Sequence, residues 1–146
     1  MNPSVITFDV RGVPVPQGSS RGFAVNGHVH ITSDNRNLAA WRRLVSDVAQ
    51  GHAPRELWEG PVSVSLRFRL PIPKSRPTTR GRGKKKHRIR VWPDRKPDLD
   101  KLVRSALDSL TGIVVRDDAQ FVRILTTKDY GVPGVRVSLA RLDGEA

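Results

Sequence analysis

The chain has 146 residues, which suffices for one domain with its own apolar core and is too short for two. Its 26 lysines and arginines against 14 aspartates and glutamates give a formal net charge of +12, which favours nucleic acid as partner over a ribosomal-type or membrane-surface role. The absence of cysteine excludes disulfides, thiolate catalysis and zinc–cysteine sites, and the lack of a signal peptide or membrane-spanning run predicts a cytoplasmic protein.

The N-terminal third predicts a strand, a hairpin and a helix. Apolar residues alternate with polar ones at positions 6–10, which is the period of a strand with one buried face. An irregular loop rich in Gly, Pro and Ser follows, and Asn26-Gly27 then favours a tight turn between two short alternating segments. Ser33 or Asp34 can cap a helix whose apolar residues recur at helical spacing to about Gln50.

The middle of the chain contains its clearest strand and its most basic segment. Apolar and polar residues alternate over the nine positions from Val62 to Leu70. Residues 74–96, called the basic loop below, hold eleven lysines and arginines and only one acidic residue. Such a segment cannot pack a core of its own, and we predict that part of it is mobile without a ligand.

The C-terminal third predicts a second helix and two strands. An apolar stripe over residues 99–110 ends at Thr111-Gly112, where the glycine favours helix termination. Residues 121–128 and the alternating residues 135–139 are typical of strands.

The order of these elements predicts the fold class. We expect a single α+β domain over residues 1–146, with a small mixed or antiparallel sheet and two helices packed on one face. The sheet edges that remain uncovered favour a homodimer.

Four aspartates cluster around the second predicted helix. Asp98 and Asp100 stand at its start, and Asp117 and Asp118 follow its end. Each alone suits an ordinary helix cap, because carboxylates accept orphan N–H groups and complement the helix dipole. Together they are hard oxygen donors of the kind that bind Mg²⁺ or Mn²⁺, ions that activate water and neutralise charge on a phosphodiester. The sequence therefore predicts a metal-dependent site for phosphodiester hydrolysis beside a cationic surface.

Three charged residues of the same helix, Asp100, Arg104 and Asp108, recur every four positions and so share one face. The plain interpretation is a ladder of surface ion pairs worth about 0.2–0.5 kcal/mol per pair. The functional interpretation places Arg104 in the same site as Asp100, where its charge stabilises the transition state.

The stretch PDLDKLVRSALDSLTGIVVRDDAQ, residues 97–120, resembles the core motif of the RusA family of Holliday-junction resolvases, found in bacteria and their phages. That motif joins a D-L-D-N-L-x-K helix to a D-D-A-Q tetrad further along the chain. The resemblance implies a RusA-like, homodimeric endonuclease that depends on Mg²⁺, with Mn²⁺ as an alternative. It also implies that branched double-stranded DNA is the partner and that paired nicks resolve four-way junctions in recombination and repair.

By position, the resemblance assigns the site residues. The catalytic residues are Asp98, Asp100, Asp118 and Arg104, of which the three aspartates also bind the metal, and the accessory candidates are Lys101, Asp117 and Asp108.

Two residues depart from the family pattern. Lys101 stands where the family has asparagine, and Arg104 stands where it has its essential lysine. Arginine remains protonated at any relevant pH, so it can hold a phosphate through two hydrogen bonds but is a poor general acid. We expect Arg104 rather than Lys101 to take the place of the lysine, because adjacent helical positions point about 100° apart.

The basic loop is predicted to bind DNA mostly through phosphates, so that it positions the substrate without reading its sequence. Its candidate DNA contacts are Lys74, Arg76, Arg80, Arg82, Lys84, Lys85, Lys86, Arg88, Arg90, Arg95 and Lys96. The plain alternative for this loop is a solvated, disordered segment. Two other functions stay open for the whole chain: a non-catalytic nucleic-acid-binding protein, and a nuclease that prefers other branched DNA such as forks or flaps.

Overall fold

The computed structural model describes residues 3–18, 23–25, 28–30 and 34–142. In chain order, the helices and strands of these ranges are β1 (Val5–Arg11), β2 (Phe23–Val25), β3 (His28–His30), α1 (Asp34–Gln50), β4 (Val62–Leu70), β5 (Thr79–Arg80), β6 (His87–Arg88), α2 (Leu99–Leu110), β7 (Phe121–Tyr130) and β8 (Gly134–Arg141). Single-turn 3₁₀ helices lie at Gly83–Lys85 and Asp118–Gln120. No helix within these ranges is long and apolar enough to cross a membrane.

The main sheet has four strands in the order β1-β8-β4-β7. β8 runs antiparallel to both of its neighbours, whereas β4 and β7 run parallel to each other, so the sheet is mixed. Parallel neighbours need a long crossover connection, and the segment that contains the basic loop and α2 supplies it. β1 and β7 form the two edges of the sheet.

The apolar core lies between the sheet and the two helices. Alternate residues of the strands point inward, as Leu66 and Phe68 of β4 do, and both are fully buried. α1 contributes Trp41 to the same core, and α2 contributes Leu102 and Leu110. The helices thus cover one side of the sheet, called the helix face, and no helix of the described residues covers the other side, called the open face. This arrangement confirms the predicted α+β domain with two helices on one face.

Most predicted elements are confirmed at or near their expected bounds. The strand at 62–70 and the helix at 99–110 match the predictions, and Gly112 ends α2 with φ +85°, a conformation that glycine favours. β7 extends two residues beyond its predicted end. β2 and β3 form the predicted hairpin, but its turn, Asn26-Gly27, and the capping candidate Ser33 lie outside the described residues.

Small buried residues of α2 allow close contact with its neighbours. Ser105 and Ser109 are buried, and Ser109 donates a hydrogen bond to the Ser105 carbonyl over 2.7 Å. Ser46 of α1 donates to the Ser109 carbonyl over 2.9 Å, and Ser105 donates to the Val15 carbonyl over 2.7 Å. Both buried hydroxyls are therefore satisfied, and they tie α1 and the loop after β1 to α2.

The basic loop contains a short hairpin but contributes no buried side chain from it. β5 and β6 pair antiparallel, and the 3₁₀ turn Gly83–Lys85 connects them. Gly81 has φ +88°, and a Cβ there would overlap the Lys85 backbone, so this turn requires glycine. The side chains of the hairpin strands are exposed, as the charge of the segment leads one to expect. The mobility of the loop stays a prediction.

Gly134 is a position where a close approach across the sheet requires the absence of a side chain. It lies between Arg11 on β1 and Arg69 on β4, and the Arg69 side chain crosses it to reach Asp9. A Cβ at residue 134 would overlap the Val10 carbonyl oxygen and lie 2.6 Å from the Arg69 guanidinium.

Replacement of Gly134 with alanine is expected to lower the free energy of unfolding by about 1–3 kcal/mol, the usual range for overpacking a filled site. Urea unfolding followed by circular dichroism measures this loss. Gly131→Ala is the matched control, because a Cβ there would meet only the Arg69 side chain at an ordinary 3.7 Å. Equal stability of the two variants would contradict the prediction.

Candidate active site

The first acidic feature, called the acidic pair below, is Asp98 with Asp100 at the N-terminus of α2. Asp98 occupies the N-cap position, and its carbonyl accepts the first helical hydrogen bond from the Leu102 N–H over 3.1 Å. Its carboxylate makes no capping hydrogen bond and lies 3.7 Å from the Lys101 ammonium. Asp100 is exposed in the first turn. Helix capping therefore does not explain the Asp98 side chain, and both carboxylates face solvent.

Lys128 anchors the backbone that leads into the acidic pair. It lies opposite the buried Phe68 in the sheet register, which places it on the helix face of the edge strand β7. Its ammonium donates hydrogen bonds to the carbonyls of Arg95 and Pro97, each over 2.8 Å. The end of the basic loop and the start of α2 are thereby attached to the sheet.

The neighbouring residue Asp129 holds an earlier part of the basic loop on the other side of β7. Successive strand residues point to opposite faces, so Asp129 faces the open face, where its carboxylate pairs with the Arg90 guanidinium. Residues 90–97 therefore pass around the edge of the sheet between these two attachments.

The second acidic feature, called the acidic turn below, is the 3₁₀ helix Asp118–Gln120 with its N-cap Asp117. The Asp117 carboxylate accepts a hydrogen bond from the Ala119 N–H over 3.0 Å. In return, the Gln120 side-chain oxygen accepts from the Asp117 N–H over 2.9 Å. This reciprocal capping gives Asp117 a structural role and leaves the exposed Asp118 carboxyl beside it.

Gln120 attaches the acidic turn to the core. Its side-chain oxygen also accepts from the Arg116 N–H over 2.9 Å, and its amide donates to the carbonyls of Trp58 at 2.7 Å and Gly60 at 3.0 Å. Trp58 is fully buried, so these bonds connect the acidic turn to a rigid part of the domain.

The change Gln120→Leu is expected to lower the free energy of unfolding by about 2–6 kcal/mol, because four hydrogen bonds are lost and each contributes about 0.5–1.5 kcal/mol. Urea unfolding monitored by tryptophan fluorescence tests this value. Gln50→Leu makes the same chemical change at the exposed end of α1 and serves as the control. If both variants lose the same small amount, Gln120 does not anchor the turn.

The two carboxyls of the acidic turn titrate in opposite directions. The hydrogen bond from the Ala119 N–H, and then the one shared with Asp118, lower the pKa of Asp117. The hydrogen bond with Asp117 is the main cause that raises the pKa of Asp118, followed by partial desolvation and the negative charges of Asp117 and Asp108. Asp117 therefore ionises first, and Asp118 keeps the shared proton to higher pH.

This opposite titration has opposite consequences for stability. The contribution of Asp118 is present below its unfolded-state pKa and is lost as the pH rises through its raised folded-state pKa. The contribution of Asp117 is present above its unfolded-state pKa and is lost as the pH falls through its lowered folded-state pKa.

In the variant Asp117→Asn, the pKa of Asp118 is expected to fall toward its ordinary value, because both its proton-sharing partner and a neighbouring negative charge are gone. Carboxyl-carbon NMR over a pH titration measures this directly. Asp108→Asn should lower the same pKa by a smaller amount, and Asp47→Asn on α1 should leave it unchanged. A pKa of Asp118 that does not respond to Asp117→Asn would contradict the proposed sharing of the proton.

The predicted metal ligands do not all converge in one place. Asp118 interacts with Asp108 in the C-terminal half of α2, whereas Asp98 and Asp100 stand at its N-terminus. Positions 100 and 108 are about 12 Å apart along the helix axis, since each residue rises 1.5 Å. In the part of the chain that the structure describes, no three His, Cys, Asp or Glu side chains group closely enough to hold a metal ion.

The donor chemistry of the acidic pair nevertheless fits a hard divalent cation. Mg²⁺ is commonly bound through one or two carboxylates, with water and substrate phosphates completing its coordination. Asp98 has a carboxylate unused in capping, and Asp100 has an exposed carboxylate two residues away. The acidic pair can therefore supply the protein ligands of such an ion.

Arg104 lies one helical turn beyond Asp100 on the exposed side of α2. Within the described ranges, no ion pair joins it to Asp100 or Asp108, so the surface ladder that their spacing suggests is not formed. The accessory candidate Lys101 is instead paired with Asp98. The guanidinium of Arg104 is thus available to an anion that approaches the acidic pair.

The basic loop contributes exposed cations around the edge of the sheet. Arg76 is held by Asp94 over 2.6 Å and by the Trp92 carbonyl over 3.0 Å, and its guanidinium lowers the pKa of Asp94. Arg90 is held by Asp129 and lies over the Trp92 ring at 4.2 Å from its centroid. The other predicted DNA contacts are exposed, namely Lys74, Arg80, Arg82, Lys84, Lys85, Lys86, Arg88, Arg95 and Lys96.

Two residues that position the acidic features were missed from the sequence. Gln120 belongs to the quoted D-D-A-Q tetrad, so the motif itself marked it, although its four hydrogen bonds were not predicted. Lys128 lies in a strand of mixed composition and has no sequence signal, because its partners are backbone carbonyls 31 and 33 residues away.

The chain is similar to a known protein family and to a curated bacterial protein. The family model described as "Endodeoxyribonuclease RusA" matches residues 11–140. Among curated relatives, the uncharacterized protein YqaN of Bacillus subtilis (strain 168) is 34% identical over 125 residues, which cover 86% of this chain and 87% of that protein. The span matched by the family model contains both helices, the basic loop and both acidic features.

Proposed function

The chain belongs to the RusA endodeoxyribonuclease family, and from this membership we propose that it resolves four-way DNA junctions by metal-dependent hydrolysis of paired phosphodiester bonds. The observation that supports this reaction is the acidic pair, whose carboxylates face solvent beside a guanidinium and a cationic loop. We propose that it acts in the bacterial cytoplasm, either as a bacterial protein or as a phage protein in its host.

Asp98 and Asp100 would hold the divalent cation, with Mg²⁺ as the proposed ion and Mn²⁺ as an alternative. A cation held there would supply charge neutralisation for the phosphate and would activate water as a nucleophile at neutral pH. The family resemblance makes Asp118 the proposed third ligand, although in the described residues of one chain it does not form a close group with Asp98 and Asp100. Titration of the Asp118→Asn variant with Mn²⁺ in the absence of DNA measures how much Asp118 contributes to metal affinity, because loss of a true ligand weakens metal binding.

Arg104 is proposed to bind the scissile phosphate. Its planar guanidinium can donate two parallel hydrogen bonds to phosphate oxygens, and it stays charged throughout the reaction. Its place one turn from Asp100 on α2 holds it near the acidic pair. In this scheme Arg104 stabilises negative charge on the phosphate, and a proton reaches the leaving oxygen from water.

The basic loop is proposed to hold the DNA backbone near the site. Most of its cations are exposed and unpaired with carboxylates, and neutralising phosphates releases counterions from DNA. Phosphate contacts carry no sequence information, so selectivity for branched DNA would come from the geometry of the bound junction.

A homodimer is proposed to cut the two strands of a junction in concert. The support comes from β7, which is an edge strand of the described sheet and carries the exposed apolar residues Val122, Ile124 and Leu125 at 63%, 43% and 62%. Such an edge tends to associate with another chain unless it is covered. Sedimentation equilibrium is expected to give twice the monomer mass, and a monomer at assay concentrations would contradict this part of the proposal.

The experiment that tests the function is a cleavage panel. Synthetic four-way junctions, forks, flaps and linear duplexes of equal length are incubated with the wild-type protein in Mg²⁺, in Mn²⁺ or in EDTA. Paired nicks at the junction with a metal, and none in EDTA, are expected. Faster cleavage of forks or flaps would show that these, and not four-way junctions, are the preferred substrate. If no DNA is nicked with either metal, the result would favour a non-catalytic DNA-binding protein.

A further inference from the structure

Two arginines stand directly opposite each other on the open face of the sheet. Arg67 of β4 and Arg136 of β8 are register partners in an antiparallel pair, and both are exposed. Like charges at directly opposed positions destabilise a sheet. Their other neighbours at this level are Thr127 on β7, which is neutral, and Asp9 on β1.

Asp9 does not neutralise this pair, because other arginines occupy it. The Arg69 guanidinium crosses Gly134 and lies 3.0 Å from the Asp9 carboxylate, and Arg11 lies 3.5 Å from it. Arg69 also donates a hydrogen bond to the Val132 carbonyl over 2.9 Å, which fixes its position. In the described part of the chain, Arg67 and Arg136 have no carboxylate within ion-pair distance.

The same arginines line a recess of about 320 Å³ on the open face. Its lining residues are Arg67, Phe68, Arg69, Arg90, Asp129, Tyr130 and Arg136. Asp129 is occupied by Arg90, just as Asp9 is occupied by Arg69 and Arg11. Two guanidinium groups of the recess therefore remain without compensation, which is the electrostatic requirement for binding an anion.

Arg90 makes this recess continuous with the basic loop. Arg90 belongs to the basic loop, and its side chain also lines the recess, where contacts with Asp129 and the Trp92 ring hold it. The cationic surface thus extends from the loop onto the sheet. A long polyanion suits a continuous surface of this kind better than a small acid or an acidic peptide, because it offers phosphates at regular intervals.

We propose that Arg67 and Arg136 form a second DNA-binding site, which holds a backbone phosphate on the open face of the sheet. The acidic pair lies at the start of α2, on the helix face, so the two sites are on opposite sides of the sheet. The inference rests on the proposed function only in taking DNA as the polyanion, and it requires no cleavage. The repulsion between the two arginines destabilises the sheet when the site is empty, and a bound phosphate would reduce that repulsion.

The test removes the two charges and compares the result with an equal change of charge elsewhere. The variant is Arg67→Gln with Arg136→Gln, and the control is Arg36→Gln with Arg43→Gln, two exposed positions on one face of α1. Binding of a linear duplex and a four-way junction is measured in EDTA over a range of salt concentrations, and thermal unfolding is measured alongside.

The double variant on the open face is expected to bind both DNAs more weakly, with the slope of log K against log salt reduced by about 1, the value for one lost phosphate contact. Its unfolding temperature should equal or exceed that of the wild type, because the repulsion is gone. The α1 control should keep the wild-type slope. An unchanged slope in the open-face variant, or an equal reduction in the control, would overturn the proposal.

Measurement in EDTA separates this site from the proposed reaction. If the wild type binds DNA but never nicks it, the proposed function fails and the second site is still tested by the salt dependence. If the open-face variant binds like the wild type while the wild type resolves junctions, the second site fails and the proposed function stands.

Discussion

Asp100→Asn is expected to lower the rate of junction cleavage in Mg²⁺ by at least about 100-fold, since loss of a residue that only supports a metal ligand already costs about 10–100-fold. Asparagine keeps the size of the side chain but removes the negative charge that attracts the cation. Because Asp100 is exposed, the substitution removes little packing, and the variant should fold like the wild type. Single-turnover cleavage of a four-way junction measures the rate.

Binding supplies the second measurement for the same variant. Junction affinity in EDTA should be equal to or higher than that of the wild type, because one negative charge facing the DNA has been removed. Asp47→Asn, which removes an exposed carboxylate from α1, should retain wild-type cleavage and so controls for the change in net charge. Wild-type cleavage by Asp100→Asn would refute the assignment of the acidic pair as the metal site.

Arg104→Ala is expected to reduce the maximal cleavage rate by about 10²–10³-fold, which is the usual cost of removing one group that stabilises transition-state charge. Arg104→Lys should retain more activity than Arg104→Ala, because the positive charge remains although the paired hydrogen bonds are lost. Both variants should remain folded, since the side chain is exposed and joins no ion pair in the described ranges. Single-turnover rates at saturating enzyme separate this effect from binding.

The pH profile distinguishes the two roles open to residue 104. If the residue only stabilises charge, Arg104→Lys and the wild type should share one pH profile between pH 6 and about 9, well below the ordinary pKa of lysine. If the position serves as a general acid, the lysine variant should cleave faster than the wild type, with a rate that declines at alkaline pH. Equal cleavage rates for Arg104→Ala and the wild type would show that residue 104 takes no part in cleavage.

The edge strand β7 connects the elements on which these predictions depend. Lys128 holds the entry to α2 on the helix face, and Asp129 holds Arg90 on the open face. The basic loop and the open-face recess are therefore connected through β7 to the backbone that leads into the acidic pair. If the proposed DNA contacts form at these surfaces, they would also restrain the backbone that positions Asp98, because contacts remote from a reacting centre contribute to its positioning.

The local elements and the resemblance to the family could both be predicted from the amino-acid sequence. The period of two at residues 62–70 and the apolar stripe at 99–110 correspond to single elements, because alternation and helical spacing depend only on which residues are neighbours along the chain. The acidic pair and the acidic turn were also visible, since the motif that contains them is contiguous over residues 97–120.

Tertiary structure alone decided what those aspartates contact. The N-cap position of Asp98 was predictable, but the absence of a capping bond from its side chain was not. That Asp118 does not form one close group with the acidic pair was not predictable either, because the position of the acidic turn depends on how Gln120 attaches it to Trp58.

The opposition of Arg67 and Arg136 likewise exists only in the folded sheet. These residues are 69 positions apart, and their register follows from the pairing of β4 with β8. Strand order and register are set by which apolar faces can be buried together, a condition that involves the whole core and leaves no signal at either arginine. Secondary structure can therefore be predicted from local periodicity in the sequence. Contacts between charged side chains that are distant in sequence cannot, because they depend on how the whole core packs.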